Sequence, residues 1–218
     1  MKVKFLGHAA FLITSDKGTK IITDPYEPGG FGGAIGYGKI TEAADIAVVS
    51  HDHGDHGYVA GLSGNPEIVK KSGSQEAKGI AFKGVPVYHD ASKGGERGSN
   101  IMFCFDVDGV RVCHAGDLGH PLSAEEIAEL GPIDVLMLPV GGFFTIDAAV
   151  ASDIVNALKP RIVIPMHYKT EKCGFPIAGV DQFLAGKSNV KNTNASEVEI
   201  SKGQLPVSTE IVVLKPAL

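Results

Sequence analysis

Short apolar runs, broken by Gly, Pro, Asp and Asn, recur along the chain. Their Val, Ile and Phe content and their punctuation predict strands at Lys2–Leu6, Ala10–Thr14, Lys20–Thr23, Ile46–Val49, Val85–Tyr88, Asn100–Asp106, Val110–His114, Val135–Leu138, Ile162–Pro165 and Glu210–Leu214. Three segments read instead as helices. Ser123–Leu130 opens on Ser123 with Glu126 three residues later, the pattern of a capping box. Thr145–Leu158 is rich in Ala and stops before Lys159-Pro160. Gly179–Ala185 is the third. Hairpins come first, then a βα alternation, so helical layers are expected outside two packed sheets. No internal repeat or sharp change in composition divides the chain, and residues 1–218 are expected to form one domain.

One hairpin can be read to its register. Val107-Asp108-Gly109-Val110 is a two-residue Asp-Gly turn. It sets Asp106 opposite Arg111 and Cys104 opposite Cys113, the latter as a close, non-hydrogen-bonded pair. Two buried thiols are expected there, with a cross-strand disulfide under oxidation as the alternative.

Composition narrows the function. Hydrophobic residues make up 44% of the chain and charged residues 21%, which excludes disorder for most of it. The 28 glycines imply many tight turns. A net charge of -5 argues against a general nucleic-acid binder. No run of ~18 apolar residues is present, and the N-terminal segment lacks the features of a signal peptide. Cys104, Cys113 and Cys173 form no CxxC pair, and a reducing, cytoplasmic location is the expectation.

The chemistry concentrates in His51-Asp52-His53-Gly54-Asp55-His56, directly after the strand at Ile46–Val49. Imidazole and carboxylate at this density form a metal-ligand set. In extended backbone His51 and His53 point to one side and can share an ion. Asp55 and His56 point elsewhere and can serve a second, while Asp52 and Gly54 act as spacers. His89, Asp117 and His167 each lie just beyond a predicted strand, where a sheet can aim a ligand. His8, at the end of the first strand, is either a partner of the site or a core histidine. His114 and His120 receive no role.

The HxHxDH pattern resembles the metallo-β-lactamase superfamily. Leu6-Gly7-His8-Ala9-Ala10-Phe11-Leu12-Ile13 and Ile22-Thr23-Asp24-Pro25 resemble the opening of a branch of metal-dependent hydrolases related to the ascorbate-6-phosphate lactonases. His114-Ala115-Gly116-Asp117, Leu138-Pro139-Val140-Gly141-Gly142 and Ile164-Pro165-Met166-His167-Tyr168 resemble its later motifs. The resemblance runs from residue 5 to about residue 170. It implies an α/β fold, a four-layer αββα sandwich with the metals at one edge of the sheets. It assigns His51, His53 and His89 to one ion, Asp55, His56 and His167 to the other, and Asp117 as the carboxylate bridging both.

A metal-bridging hydroxide attacking a small, anionic ester or lactone is the implied chemistry, with Asp55 and Asp117 orienting it and His8 as a candidate proton donor. The donors include no thiolate, which makes Zn²⁺ the first choice, with Mn²⁺, Fe²⁺ or Ni²⁺ also suited. Lys93, Arg97, Lys169 and Lys172 would favour an anionic substrate if their loops rim the site. The other readings are a phosphodiesterase or nuclease, and a non-catalytic metal-binding module. The absence of Trp and of a basic arm weakens a nucleic-acid substrate, and a small molecule is the expected partner. Gly33 to Lys39 fits GxxxxGK, but Ile40 stands where a Mg²⁺-binding hydroxyl belongs. The Gly-rich segment is expected to be a surface loop or a flap over the metals. Phe143-Phe144 is expected to pack internally, with a substrate wall or an interface as alternatives.

Overall fold

Period-two alternation sorts the N-terminal side chains onto two faces. In the computed structural model, which describes residues 1–218, β1 (Lys2–Gly7), β2 (Ala10–Thr14) and β3 (Lys20–Thr23) form an antiparallel meander. Val3, Phe5, Phe11, Ile13 and Ile21 enter a core of 45 buried residues. The alternate positions Leu6, Ala10, Leu12 and Ile22 enter a second, smaller cluster on the other face. That outer cluster is closed by Tyr26, Ile35, Tyr37, Cys173 and Ile177, which come from loops. A single helical turn, α1 (Gly30–Gly33), is the helical element within the Gly-rich segment.

The chain continues through β4 (Ile46–Val48), β5 (Glu67–Val69), β6 (Gly73–Ala77), β7 (Ile80–Tyr88), β8 (Ser99–Val107) and β9 (Val110–His114). Then follow α2 (Ala124–Leu130), β10 (Val135–Pro139), α3 (Ala148–Leu158), β11 (Ile162–Met166) and α4 (Asp181–Leu184). β12 (Val190–Asn192), β13 (Glu197–Glu199) and β14 (Glu210–Val213) complete it. A six-stranded sheet runs β13-β1-β2-β3-β4-β5 and an eight-stranded sheet runs β12-β14-β11-β10-β9-β8-β7-β6. The core lies between them, giving the expected α/β sandwich. β10 and β11 pair in parallel and are buried at every position, as their unbroken apolar sequences require.

Several boundaries move for physical reasons. The helix expected from Thr145 starts at Ala148, because the Asp147 carboxylate accepts from the backbone N–H of Ala149 and Val150 and so caps it. Gly179–Ala185 shortens to the one turn of α4. The strand expected from Val85 begins at Ile80, drawn out by pairing with β6. Ser123 and Glu126 form the expected capping box on α2. No helix is long and apolar enough to cross a membrane.

The β8–β9 hairpin has the expected register, with Asp106 opposite Arg111 and Cys104 opposite Cys113. Both cysteines are buried. Unreduced, denatured protein is expected to titrate three thiols per chain with a thiol-exchange reagent. A value of one would mean that Cys104 and Cys113 are bridged.

Strand direction determines where the chemistry gathers. β1, β3 and β4 run the same way, since β2 is antiparallel to both its neighbours and β3 is parallel to β4. β7, β9, β10 and β11 likewise share a direction. His8, Asp24 and the His51–His56 loop follow β1, β3 and β4. His89, Asp117 and His167 follow β7, β9 and β11. Each candidate donor therefore leaves a carboxyl end of a strand.

Candidate metal centre

The structure brings all seven expected ligands together. Donor atoms of His51, His53 and His89 lie within 4.8 Å of one another, and so do those of Asp55, His56, His167 and His8. Asp117 stands between the groups. Its Oδ2 is 3.1 Å from His89 Nε2, 3.1 Å from His56 Nε2, 3.4 Å from His167 Nε2 and 4.0 Å from His51 Nε2. Asp52 points outward with its side chain 78% exposed, a spacer as expected.

Backbone geometry serves this arrangement. His8 and His167 both have positive φ, 56° and 50°. The N–H of His167 donates to the carbonyl of His8, locking the turn after β1 to the turn after β11. Gly116, at φ 54°, lets the chain turn from β9 to Asp117. A Cβ there would stand 2.3 Å from Asn100 Oδ1 and 2.5 Å from Ser50 Cβ. Asn100 Oδ1 accepts from Asp117 N–H while its Nδ2 donates to the Ala115 carbonyl, so one buried amide holds the loop.

Asp24, in the Ile22-Thr23-Asp24-Pro25 motif, has a role that its sequence context does not reveal. It is wholly buried. Its carboxylate accepts from Ser50 N–H at 2.8 Å, Ser50 Oγ–H at 2.7 Å and His56 Nδ1–H at 2.9 Å. That last bond keeps a proton on His56 Nδ1 and turns Nε2 toward Asp117, where a bound cation would take the place of a second ring proton. Ser50 Oγ–H is engaged in donating to Asp24, so the oxygen accepts from His51 Nδ1–H at 2.9 Å. The unprotonated nitrogen of His51 is again Nε2, which lies 3.0 Å from His53 Nδ1. One carboxylate thus orients a histidine in each donor group. The available signal was an acidic residue ending an apolar strand before Pro25.

Charge explains why these groups suit cations. Asp24, Asp55 and Asp117 are buried, and no Lys or Arg pairs with any of them. Burial opposes ionisation of all three, yet neighbouring imidazoles hold each below the ordinary carboxylate range. Burial would also strip the proton from His56, but Asp117 and Asp55 hold its pKa well above the usual value. Burial and the neighbouring His56 push His51 down to about 3. Asp117 Oδ1, His56 Nε2, His89 Nδ1 and His167 Nδ1 are buried without hydrogen-bond partners. Uncompensated buried carboxylates and imidazole nitrogens converging on one small volume are what divalent cations satisfy.

His8 is buried completely, with Nε2 3.2 Å from Asp55 Oδ2. Burial and the neighbouring His167 lower its pKa to about 4. His114 Nε2–H donates to the Ala9 carbonyl, a core bond, and His120 lies outside the centre beside Tyr88.

The donors open into a cavity of about 240 Å³ lined by His53, Asp55, His89, Asp117 and His167. Its wall is aromatic: Phe31 from the Gly-rich segment, Phe144 and Phe175. Phe144 packs on the outer cluster as expected and also forms part of the cavity wall, while Phe143 is 64% exposed. Of the four cations expected at the rim, Arg97 lines the cavity. Lys93 is exposed on the same loop, Lys169 ties down the Phe175 carbonyl, and Lys172 lines a separate surface cleft.

Residues 2–167 match the family model described as the Beta-lactamase superfamily domain. A protein named a UPF0173 metal-dependent hydrolase from Pyrococcus abyssi is 36% identical over 195 residues, covering 78% of this chain and 85% of its own. One so named from Pelotomaculum thermopropionicum is 34% identical over 229 residues, covering 92% and 96%. A Thermotoga maritima crystal structure assigned to the metallo-beta-lactamase superfamily superposes with a TM-score of 0.79 at 33% identity, covering 98% of this chain and 97% of that one. The chain belongs to the metallo-β-lactamase superfamily, among its metal-dependent hydrolases.

Proposed function

We propose that this protein hydrolyses a small ester or lactone using two divalent ions, with Zn²⁺ the first choice. The observation that carries the reading is Asp117 Oδ2, placed 3.1 Å from one histidine of each donor group. In this reading His51, His53 and His89 hold one ion, Asp55, His56 and His167 the other, and Asp117 serves both. The ions would supply Lewis acidity, lowering the pKa of a water between them and polarising the scissile carbonyl.

The chain's own residues do the rest. Asp55 and Asp117 would balance the cationic charge and orient the attacking water by accepting hydrogen bonds from it. Asp24 keeps His51 and His56 in the tautomer that points Nε2 inward. His8 is a positioning residue: it donates to Asp55 from a buried site, does not line the cavity, and is held neutral at pH 7. Phe31, Phe144 and Phe175 exclude water from the far side of the cavity.

The test is metal analysis joined to a substrate panel. Purified protein reconstituted with Zn²⁺ or Mn²⁺ is expected to hold two ions per chain. Its esterase or lactonase activity should vanish on chelation and return with metal. A single ion would remove Asp117 from its bridging role. Two ions without turnover of any ester, lactone or phosphodiester would leave a metal-binding module.

A further inference from the structure

Arg97 is the one fixed cation facing the cavity, and the chain spends an elaborate loop on placing it. Asp90, directly after His89, accepts four backbone N–H bonds: Ser92 and Gly94 on Oδ1, Glu96 and Arg97 on Oδ2, at 2.7 to 3.0 Å. The His89 N–H also donates to the Gly98 carbonyl, closing the loop on the candidate ligand. The backbone of Arg97 is therefore fixed relative to His89.

The side chain is aimed as well as anchored. Its guanidinium lies 5.7 Å from the centre of the Phe144 ring. Phe144 meets Phe175 edge-to-face at 5.4 Å, and Phe175 meets Phe31 at 5.5 Å. Three separate loops thus build one aromatic wall with a cation at its end. The guanidinium makes one hydrogen bond, to Glu96 Oε2 at 3.3 Å. Glu96 is 60% exposed and does not line the cavity, so this pair is weak and leaves the planar fork free.

We propose that Arg97 binds a carboxylate or phosphate carried by the substrate away from the scissile bond, while the substrate's apolar body lies along Phe31, Phe144 and Phe175. The proposal rests on the hydrolase reading and sharpens it to a compact, amphiphilic, anionic ester or lactone. The cavity lies just below the usual small-molecule range of ~300–1,000 Å³. The wall offers no hydrogen-bond partners to a polyhydroxylated body, so a phosphorylated sugar is the poorer fit.

Three probes of one skeleton test it: 4-carboxyphenyl acetate, 4-phosphonooxyphenyl acetate and the neutral 4-carbamoylphenyl acetate. With metal-loaded protein, kcat/KM for each anionic ester should exceed that for the carbamoyl ester by about 10- to 100-fold, the span of a charge-assisted hydrogen bond. Arg97→Gln should bring that ratio near 1, and Arg97→Lys should restore it in part. Lys93→Gln, exposed on the same loop, should leave it intact. A ratio within one protein is insensitive to partial unfolding. The larger of the two anionic ratios identifies the preferred group. A ratio near 1 in the wild type, or one that survives Arg97→Gln, overturns the proposal and leaves the hydrolase reading standing. If no ester turns over, the hydrolase reading fails on its own, and calorimetric titration with 4-hydroxybenzoate decides. Weaker binding by at least about tenfold in Arg97→Gln supports the anion site, and equal or absent binding overturns it.

Discussion

Asp117→Ala is expected to bring bound metal below one ion per chain and to abolish hydrolysis. Asp117 faces the Nε2 atoms of both donor groups, whereas Asp24 reaches His56 at Nδ1 and His51 only through Ser50. Its Oδ2 lies within 3.4 Å of His56, His89 and His167, and His51 follows at 4.0 Å. Loss of an outer partner of a metal ligand costs about 10- to 100-fold in affinity or activity. In the proposed two-ion site, removing the shared ligand should exceed that, because each ion would lose an anionic donor and face the other with less charge between them. Asp117→Asn separates charge from shape. It keeps the volume and the backbone bond to Asn100, so its fold should be intact while metal retention falls. Elemental analysis after gel filtration reads the result. Two ions retained by Asp117→Ala would remove this residue from the centre and require another bridge.

The sequence carried this centre because its donors sit at strand ends. A strand's apolar run is legible, and so is the polar cluster that follows it. His51, His53, Asp55 and His56 announced themselves by density, and the family resemblance supplied His89, Asp117 and His167. Ala10–Thr14, Lys20–Thr23 and Val110–His114 match their strands residue for residue, since strong alternation ends there at a turn. The elements that escaped are of another kind. β6 reads Gly-Ser-Gln-Glu-Ala and β13 reads Glu-Val-Glu. Both are edge strands, exposed and polar: β13 pairs with the distant β1, while β6 joins β7 through a tight hairpin but has too few apolar positions to read as a strand. β5 and β12 are also edge strands, at three residues each too short to show a period-two pattern.

The site's hidden layer escaped for a related reason. Asp24 is a lone carboxylate until β3 and β4 pair and set it beside Ser50 and His56. Asn100 and Asp90 are likewise ordinary polar residues until the backbone supplies their partners. Local pattern reveals groups that face a ligand. Groups that face those groups depend on contacts between segments that sequence spacing does not encode. The aromatic wall shows the same limit. Phe31, Phe144 and Phe175 lie far apart in the chain and become one surface only when three loops converge.

Asp24→Ala is the sharpest test of that hidden layer. It strands three buried donors: the Ser50 amide, the Ser50 hydroxyl and His56 Nδ1–H. An unsatisfied buried donor costs about 1–3 kcal/mol, and breaking a buried charged network costs about 3–5 kcal/mol. Metal-free Asp24→Ala should therefore unfold at distinctly lower urea concentration, with stability reduced by about 3–5 kcal/mol. The pH dependence has a definite sign. The folded pKa of Asp24 lies below its unfolded value of about 3.9, so its stabilisation is fully present at neutral pH and fades as pH falls through the lower folded value. The metal-loaded protein adds a second readout. Asp24 fixes the His56 tautomer directly and the His51 tautomer through Ser50, so chelator competition should show affinity weakened by about 10- to 100-fold at both ions. Ser50→Ala cuts only the branch to His51 and should weaken the His51, His53 and His89 ion selectively. An Asp24→Ala protein with unchanged metal affinity would show that the ring orientations are set by packing alone. Equal losses at both ions in Ser50→Ala would show that the two donor groups respond as one unit.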